Sequence, residues 1–411
     1  MRIGGFLGLS GLVLVLAVQH CPPEKANVTI VGNPEPVWSW GTADQCDIND
    51  WPDIEPTAFR TADGNIQFWA LNQHALFRSV GPTLTELKRD CSAPVFWSSP
   101  SPNPPPETFY NYVWMTTPWS DPARGQVIAY PHNEFHGWTA FPLEVYCPSA
   151  MNGSDSETST GVLFDPDVPL VPNPSCWYPN VIAALVYDAA NRTALVIVNP
   201  NEYIPAGGGG GKHGLQGLPH HSNIVSWKPP GSNQTYFYML VEVNIAGAPI
   251  GTCLYRNADP FNVQGWLGWD GSSYSIQSNY SLYRTPEVTP SQHICKPVFT
   301  ERNCPHWTFN TVLHLFLVVC IDTRFPANGD KVMEAFTYRV SADLIHWPRD
   351  QLLMPIVWID KWRDSKVGSG VVAETYPSLL DETSAGDNFE FSGPSPYLYY
   401  TRFNAKTRAN L

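Results

Sequence analysis

An all-β fold is predicted for this 411-residue chain by three features of its sequence. The 40 prolines and 30 glycines are spread along its length, and a proline inside a helix costs about 3 kcal/mol, so long helices are disfavoured. Short apolar runs bounded by Gly, Pro, Asn and Asp recur throughout, with no amphipathic helical stretch longer than a few turns. Aromatic residues are abundant, at 16 Trp, 18 Tyr and 19 Phe, types that suit a pleated, half-buried surface. Charged residues make up only 15%, and the formal net charge is −13. That balance excludes nucleic acid and anionic membrane surfaces as partners, since both attract a basic face, and it suits a neutral or cationic ligand.

An internal repeat organises the runs into sheets. Leu76-Phe-Arg78 is followed by Gly81-Pro-Thr-Leu-Thr-Glu-Leu87, Leu254-Tyr-Arg256 by Asp259-Pro-Phe-Asn-Val-Gln-Gly-Trp266, and Thr337-Tyr-Arg339 by Ser341-Ala-Asp-Leu-Ile-His-Trp347. Each copy reads as a strand carrying Arg, a turn, and then an apolar residue and a Trp or Leu that can pack on the repeat. Arg256 and Arg339 are 83 residues apart and Arg78 and Arg256 are 178 apart, about twice that spacing, so a diverged copy belongs between the first two. An inner pair of strands precedes each copy: Thr57 to Leu71 around Asp63-Gly64, Ser222 to Asn244 around Gly231-Ser-Asn, and Asn310 to Ile321. The diverged copy begins at Phe109 to Met115 and continues through Val127 to Asn133, where insertions interrupt it. A fifth begins at Tyr376 and continues through Pro396 to Tyr400.

Five four-stranded sheets at a period near 80 residues predict a five-bladed β-propeller forming a single domain over residues 37–411. Val37-Trp-Ser-Trp40 is the expected closing strand, because propellers hide the open edge of their last sheet by borrowing a strand from the other terminus. Two segments interrupt the pattern. Ser98 to Glu107, with five prolines, is a stiff connector, and the five glycines from Gly207 to Gly211 lack the Lys-Ser/Thr or helix that would complete a phosphate-binding loop.

Residues 1–20 read as a secretion signal, with an apolar run from Ile3 to Val18 after Arg2 and a break at Pro22-Pro23; residues 21–36 form an N-terminal segment. The competing reading of that run is an uncleaved anchor. Five glycosylation sequons, at Asn27, Asn152, Asn191, Asn233 and Asn279, support export as a glycoprotein. Cleavage near Cys21 leaves eight cysteines, an even number suited to pairing in an oxidising compartment. Sequence neighbours are the expected pairs: Cys46 with Cys91, Cys147 with Cys176, and Cys253, Cys295, Cys304 and Cys320 among themselves. No zinc-ligand spacing occurs, so no resident metal or other cofactor is expected, and a structural calcium ion stays open. A monomer that has no membrane contact after cleavage is the expected state.

Polar residues on the first strand of each propeller sheet have no packing reason to exist, since those strands line the central channel. They comprise Asp50, Trp51 and Asp53 ahead of the first sheet, Asn133, Glu134 and His136 in the second, and His221 and Asn223 opening the third. Asn310 lies in the fourth and Tyr376 in the fifth. Glu242, between Val241 and Val243, points away from them by alternation. Glycosidic bond cleavage needs two carboxyl groups, one as acid and one as base or nucleophile, and Asp53, Glu134 and Glu242 are the candidates. Against this stands the bland reading: Asp50 or Asp53 caps a turn, Glu134 makes a structural hydrogen bond, and Glu242 is a solvated strand residue. Trp51, Trp114, Trp138, Trp266 and Trp269 can stack on sugar faces, although most of the Trp must pack between sheets.

Ser341-Ala-Asp-Leu-Ile-His-Trp347 resembles the outer-strand signature of glycoside hydrolase family 43 and its five-bladed relatives, the arabinanases, xylosidases and invertase-type enzymes. Asp50-Trp-Pro-Asp53, ahead of an Ala-Phe-Arg strand and the Asp63-Gly64 turn, is similar to their opening sheet, which carries the general base. The runs His132 to Gly137, Gly251 to Arg256 with Trp269-Asp-Gly271, and Tyr376 to Asp381 resemble uncharacterised secreted members of the same superfamily. The resemblance implies Asp53 (or Asp50) as base, a pKa-tuning Asp in the second sheet and an acidic Glu in the third. This chain departs from it: the second inner strand carries no Asp and the third opens with Ser222-Asn223, leaving Glu134 and Glu242 as substitutes. The expectation is a secreted glycoside hydrolase acting on a polysaccharide or oligosaccharide. The alternatives are a carbohydrate-binding propeller without catalysis and a polysaccharide lyase using His136 and Tyr376.

Overall fold

A computed structural model describes residues 8–16, 26–39, 44–47, 50–70, 75–97, 112–136, 177–181, 184–187, 195–197, 220–243, 251–277, 295–300, 303–326, 332–358 and 372–404. Among these the chain is all-β, with one short 3₁₀ turn at Val263–Gly265. The first sheet runs Thr57–Arg60, Ile66–Trp69, Arg78–Gly81 and Lys88–Asp90, each strand antiparallel to the next. In the second, Tyr112–Trp114 and Pro118–Asp121 pair with Gln126–Ala129 and His132–His136, and these with Trp177–Val181 and Ala184–Tyr187; Leu195–Ile197 forms the edge. This sheet is broken in two near Thr117, which has a positive φ of 48°. The third sheet orders His221–Trp227, Tyr236–Val243, Gly251–Asn257, Leu267–Trp269 and Tyr274–Ile276. In the fourth, His306–Asn310, Leu315–Pro326, Val332–Ser341 and Gln351–Pro355 follow one another, and Phe391–Ser392 adds a parallel strand beside the first.

The last sheet joins Val372–Leu380 and Tyr397–Asn404 to the N-terminal part of the chain. The expected closing residues Val37 to Ser39 do enter it, but at the far end of the outermost strand, Val28–Ser39. Between that strand and Tyr397–Asn404 lies Gly8–Leu16, part of the run read as a secretion signal, which pairs Leu9 with Thr401 and Leu12 with Leu398. An apolar run without prolines can take up the unpaired edge of Tyr397–Asn404, which an exposed sheet would otherwise leave to chance partners.

Packing follows from strand alternation. Ile224, Met239, Val241, Cys253 and Tyr255 in the third sheet pack with Trp119, Ile128 and Tyr130 of the second. Their neighbours Val225, Tyr238, Leu240 and Leu254 point the other way, onto Trp307, Phe316 and Val318 of the fourth. The fourth sheet's other face meets Leu379, Leu398 and Tyr400 of the fifth. The fifth meets Phe68 and Leu84 of the first through Leu380 and Tyr399, and the first meets the second through Phe59, Trp69, Trp114 and Met115. The first strands accordingly lie side by side in chain order, and Val372–Leu380 returns to Thr57–Arg60.

The repeat read from sequence corresponds to the third strands. Arg78 pairs with Asp90 at 3.1 Å and Arg339 with Asp350 at 3.3 Å, while Arg256 lies between the rings of Tyr236 and Tyr274. Of the residues expected to pack after each turn, Leu84, Trp266, Leu344 and Trp347 are buried and Leu87 is partly buried. The fifth inner strand begins four residues earlier than expected, at Val372, and the fourth inner hairpin also begins four residues early, at His306. Asn310 marks its turn rather than its start, because Asn310 Oδ1 accepts the N–H groups of Val312 and Leu313. Cys46–Cys91, Cys253–Cys295 and Cys304–Cys320 are disulfide-bonded as expected, and Cys147 and Cys176 lie outside the described residues. So do the proline-rich and glycine-rich segments and the sequons at Asn152, Asn191 and Asn279, whereas Asn27 and Asn233 are exposed.

All five first strands end at one place, sealed by the segment between Val372–Leu380 and Tyr397–Asn404. Its Asp387 carbonyl accepts the N–H of Arg60 at 2.6 Å, and its Asn388 amide bonds both main-chain groups of Ser120, at 2.6 and 3.0 Å. Glu390 accepts from the Ser226 hydroxyl at 3.3 Å and, through its carbonyl, from the Phe309 N–H at 2.9 Å. Phe389 is fully buried under the Arg60 guanidinium. Asn388→Ala leaves the buried N–H and C=O of Ser120 without these partners and is expected to cost about 2–4 kcal/mol in urea unfolding. A loss under about 0.5 kcal/mol, the scatter expected of an ordinary surface change, would show that this contact does not hold the seal.

Candidate active site at the leading ends of the first strands

Opposite the seal, the starts of the first strands bring together residues from several sheets. Asp53 sits in the loop before Thr57–Arg60, a segment restricted by Pro52 and Pro56. Its Oδ1 accepts a hydrogen bond from the Tyr376 hydroxyl at 3.0 Å and its Oδ2 one from Trp114 Nε1 at 3.3 Å. One carboxylate of the first sheet is thus held by donors from the fifth and the second. The Trp114 ring contacts that of His132, centroids 5.1 Å apart, and His132 stacks on His220 at 5.9 Å with the planes 15° from parallel.

Glu242 follows in this chain of contacts. Its N–H donates to the His220 carbonyl at 2.7 Å, and its Oε2 accepts the Asn303 N–H at 3.0 Å. Val241 and Val243 face the core shared with the second sheet, so alternation directs Glu242 to the opposite face, as expected, where it is only 6% exposed. Asn303 has a positive φ of 60° and is anchored by the adjoining Cys304–Cys320 disulfide and by its own carbonyl, which accepts from Ile321.

Two residues from Asp53 lies a carboxyl group that the sequence reading did not select. Glu55 is 3% exposed and accepts a hydrogen bond from the Thr116 hydroxyl at 3.2 Å. Burial pushes its pKa up to about 8, so it holds its proton at neutral pH. Its spacing from Asp53 was the available signal, but a Glu between Ile54 and Pro56 reads as an ordinary loop residue. Two histidines are driven the other way by burial. His221, bonded through Nε2 to the Tyr130 carbonyl, and His306, whose Nδ1 accepts the Leu379 N–H at 3.3 Å, are both lowered to about 3 and are neutral. Glu374, half-buried near Arg402, is raised by burial.

Asp53, Glu242, His221 and Tyr376 therefore gather at this end. Asn133 lies on the same strand as His132 and is buried. Glu134 pairs through its main chain with Tyr112 and Pro179, and His136 with Trp177; their side chains, and Trp138, lie outside the described residues. Other candidates are placed elsewhere. Asp50 is fully buried in an ion pair with Arg89 and accepts the Cys46 N–H at 2.9 Å. Trp51 packs edge-on against Phe403, ring centroids 6.2 Å apart. The Asn223 side chain bonds both main-chain groups of Trp307, tying the third sheet to the fourth, at 3.0 and 2.9 Å. Asn310 lies at the sealed end, against Ser392 and Gly393. Trp266 is a core residue, and Trp269 packs on Tyr274. Among the described residues no three His, Cys, Asp or Glu side chains come together as a metal site.

No family model matches the chain, and no curated protein matches it. It is similar to solved structures of other proteins. An alpha-L-arabinanase from Cellvibrio cellulosa shares 9% identity over 86% of this chain and 88% of that one, with a TM-score of 0.43. A putative glycosidase from Bacteroides thetaiotaomicron shares 11% over 85% and 86%, at 0.40. A family 117 glycoside hydrolase from Zobellia galactanivorans shares 11% over 84% and 83%, at 0.36. Likenesses this distant assign neither a residue nor an activity to the chain.

The Glu55 shift fixes the sign of a pH effect. Between 4.5 and about 8 the folded protein keeps a proton that the unfolded chain has released, so this group's contribution to stability falls as pH rises, by at most about 1.4 kcal/mol per pH unit. Glu55→Gln is neutral at every pH. Its stability relative to the parent, measured by urea unfolding, is expected to climb from pH 5 to pH 8 and then level off. A constant difference across that range would mean that Glu55 is ionised in the fold.

Proposed function

We propose that the protein is a secreted glycoside hydrolase, built as a five-bladed propeller closed on itself, that cleaves a polysaccharide or oligosaccharide with a carboxylate pair in its central channel. The observation that carries this reading is Asp53, a carboxylate at the meeting point of the sheets whose two oxygens accept from Tyr376 and Trp114. Donors on both oxygens favour the ionised form, the state required of a general base or nucleophile. The cycle of neighbouring first strands supports the closed propeller. Three disulfides fit an oxidising compartment, and no described helix is long and apolar enough to cross a membrane.

In this mechanism Asp53 acts on water or on the anomeric carbon, and Glu242 or Glu134 protonates the leaving oxygen. Glu242 is the better supported acid by its burial and by its place beyond Trp114, His132 and His220. Trp114 serves chiefly to orient Asp53, since its indole N–H is engaged there and the ring is 6% exposed.

Reducing-end release from arabinan, xylan, fructan and β-glucan tests the reading. Asp53→Asn is expected to lower the rate on the active polymer by about 10²–10⁴-fold. The acid is the residue, Glu242 or Glu134, whose Gln variant recovers on an aryl glycoside with a good leaving group. Binding to a polymer with no product, unchanged by Asp53→Asn, would make the protein a carbohydrate-binding propeller. An unsaturated product absorbing in the ultraviolet would make it a lyase.

A further inference from the structure

We infer that Tyr376 lowers the proton affinity of Asp53 and, together with Trp114, holds its orientation, and that its hydroxyl serves the carboxylate rather than a sugar. The inference rests on the reading of Asp53 as the base. It starts from backbone strain: Tyr376 has a φ of +55°, in the left-handed region where a bulky residue is rare and strained. It does so inside a strand, at an irregularity in the pairing of Val372–Leu380 with Tyr397–Asn404 between Thr375 and Ser378. It also stands directly before the buried Pro377, where the preceding residue is already restricted.

A regular strand would send residues 375 and 376 to opposite faces and carry Tyr376 past the first sheet. The bulge and the left-handed turn re-aim the ring, a recognised use of such irregularities. What the re-aimed ring reaches is Asp53 Oδ1, at 3.0 Å, across 323 positions of sequence. Neighbouring Thr375, Pro377 and Ser378 are buried, so the surrounding packing fixes this geometry.

A phenol donating to a carboxylate stabilises the ionised form and lowers its pKa. The titratable and charged groups on the elements around Asp53 include Glu55 on its own loop, the Asp50–Arg89 pair behind it, His132, His220, His221 and Glu242 beyond Trp114, and Glu374 with Arg402 on the fifth sheet. Removing the Tyr376 hydroxyl takes away the donor to Asp53 Oδ1 and leaves the Trp114 donor on Oδ2 in place.

The test is Tyr376→Phe, which keeps the ring and removes the donor. The acid limb of the kcat/KM profile, which reports the free enzyme's base, is expected to move up by about one pH unit, the size of one charge-assisted hydrogen bond. On the acid limb kcat/KM falls about tenfold, while KM at the optimum changes less than about threefold. A sugar-contacting Tyr376 would instead raise KM and leave the acid limb in place, and that result overturns the inference. A second measurement does not need turnover: the Asp53 carboxyl, followed by carbon NMR in protein labelled at aspartate and assigned with Asp53→Asn, must titrate higher in Tyr376→Phe than in the parent. If the parent cleaves no glycan the hydrolase reading fails by itself, and the titration still decides the role of Tyr376: coincident curves reject it.

Discussion

Each sheet in this protein is apolar on both faces, and a sheet that must hide both faces from water can do so only between two others. Burial at about 25 cal/mol per Å² makes that the dominant demand on the chain. The alternation of Ile224 and Val225, or of Met239, Leu240 and Val241, is the local form of this demand, sending successive side chains into different cores. Five such cores, each shared by two neighbouring sheets, leave the first strands no choice but to converge. Polar residues near the starts of those strands then meet one another as a by-product of how the sheets are packed.

The two ends of the first strands have been put to different uses. One is filled by the Asp387–Ser392 stretch, whose main-chain, amide and carboxylate groups satisfy the strand ends of four other sheets. At the other, carboxyl groups of different character sit close together. Asp53 accepts a hydrogen bond on each of its oxygens, whereas Glu55 is buried and keeps its proton. Environments that push two neighbouring carboxyl groups apart are how a single fold assigns them different tasks.

Much of this could be read from the chain. Strand periodicity and the spacing of Arg78, Arg256 and Arg339 located the sheets, because a third strand followed by a tight turn and a packing Leu or Trp is a local pattern. The loop position of Asp53 and the facing direction of Glu242 were legible through their flanking residues, the latter by alternation between valines. Asn223, Asn310 and Asp50 look the same in sequence as site residues, yet they bond the Trp307 main chain, the hairpin turn and Arg89. A side-chain amide or carboxylate that satisfies a partner 84 positions away leaves no trace in its own neighbourhood. Glu55 was missed for the same reason, since its character comes from burial by residues of another sheet. The strand Gly8–Leu16 shows a related ambiguity: an apolar run suits an export signal and a sheet edge equally well.

The sealing segment also imposes an order in time. Asn388 reaches back 268 positions to Ser120, and Tyr376 reaches back 323 to Asp53. Contacts of such separation are the last to form, because the chain must first meet the entropy of closing those loops. A ribosome that has released three sheets has therefore made stacked sheets but neither the seal nor the clamp on Asp53. Any activity that depends on that clamp is withheld until nearly the whole chain has emerged.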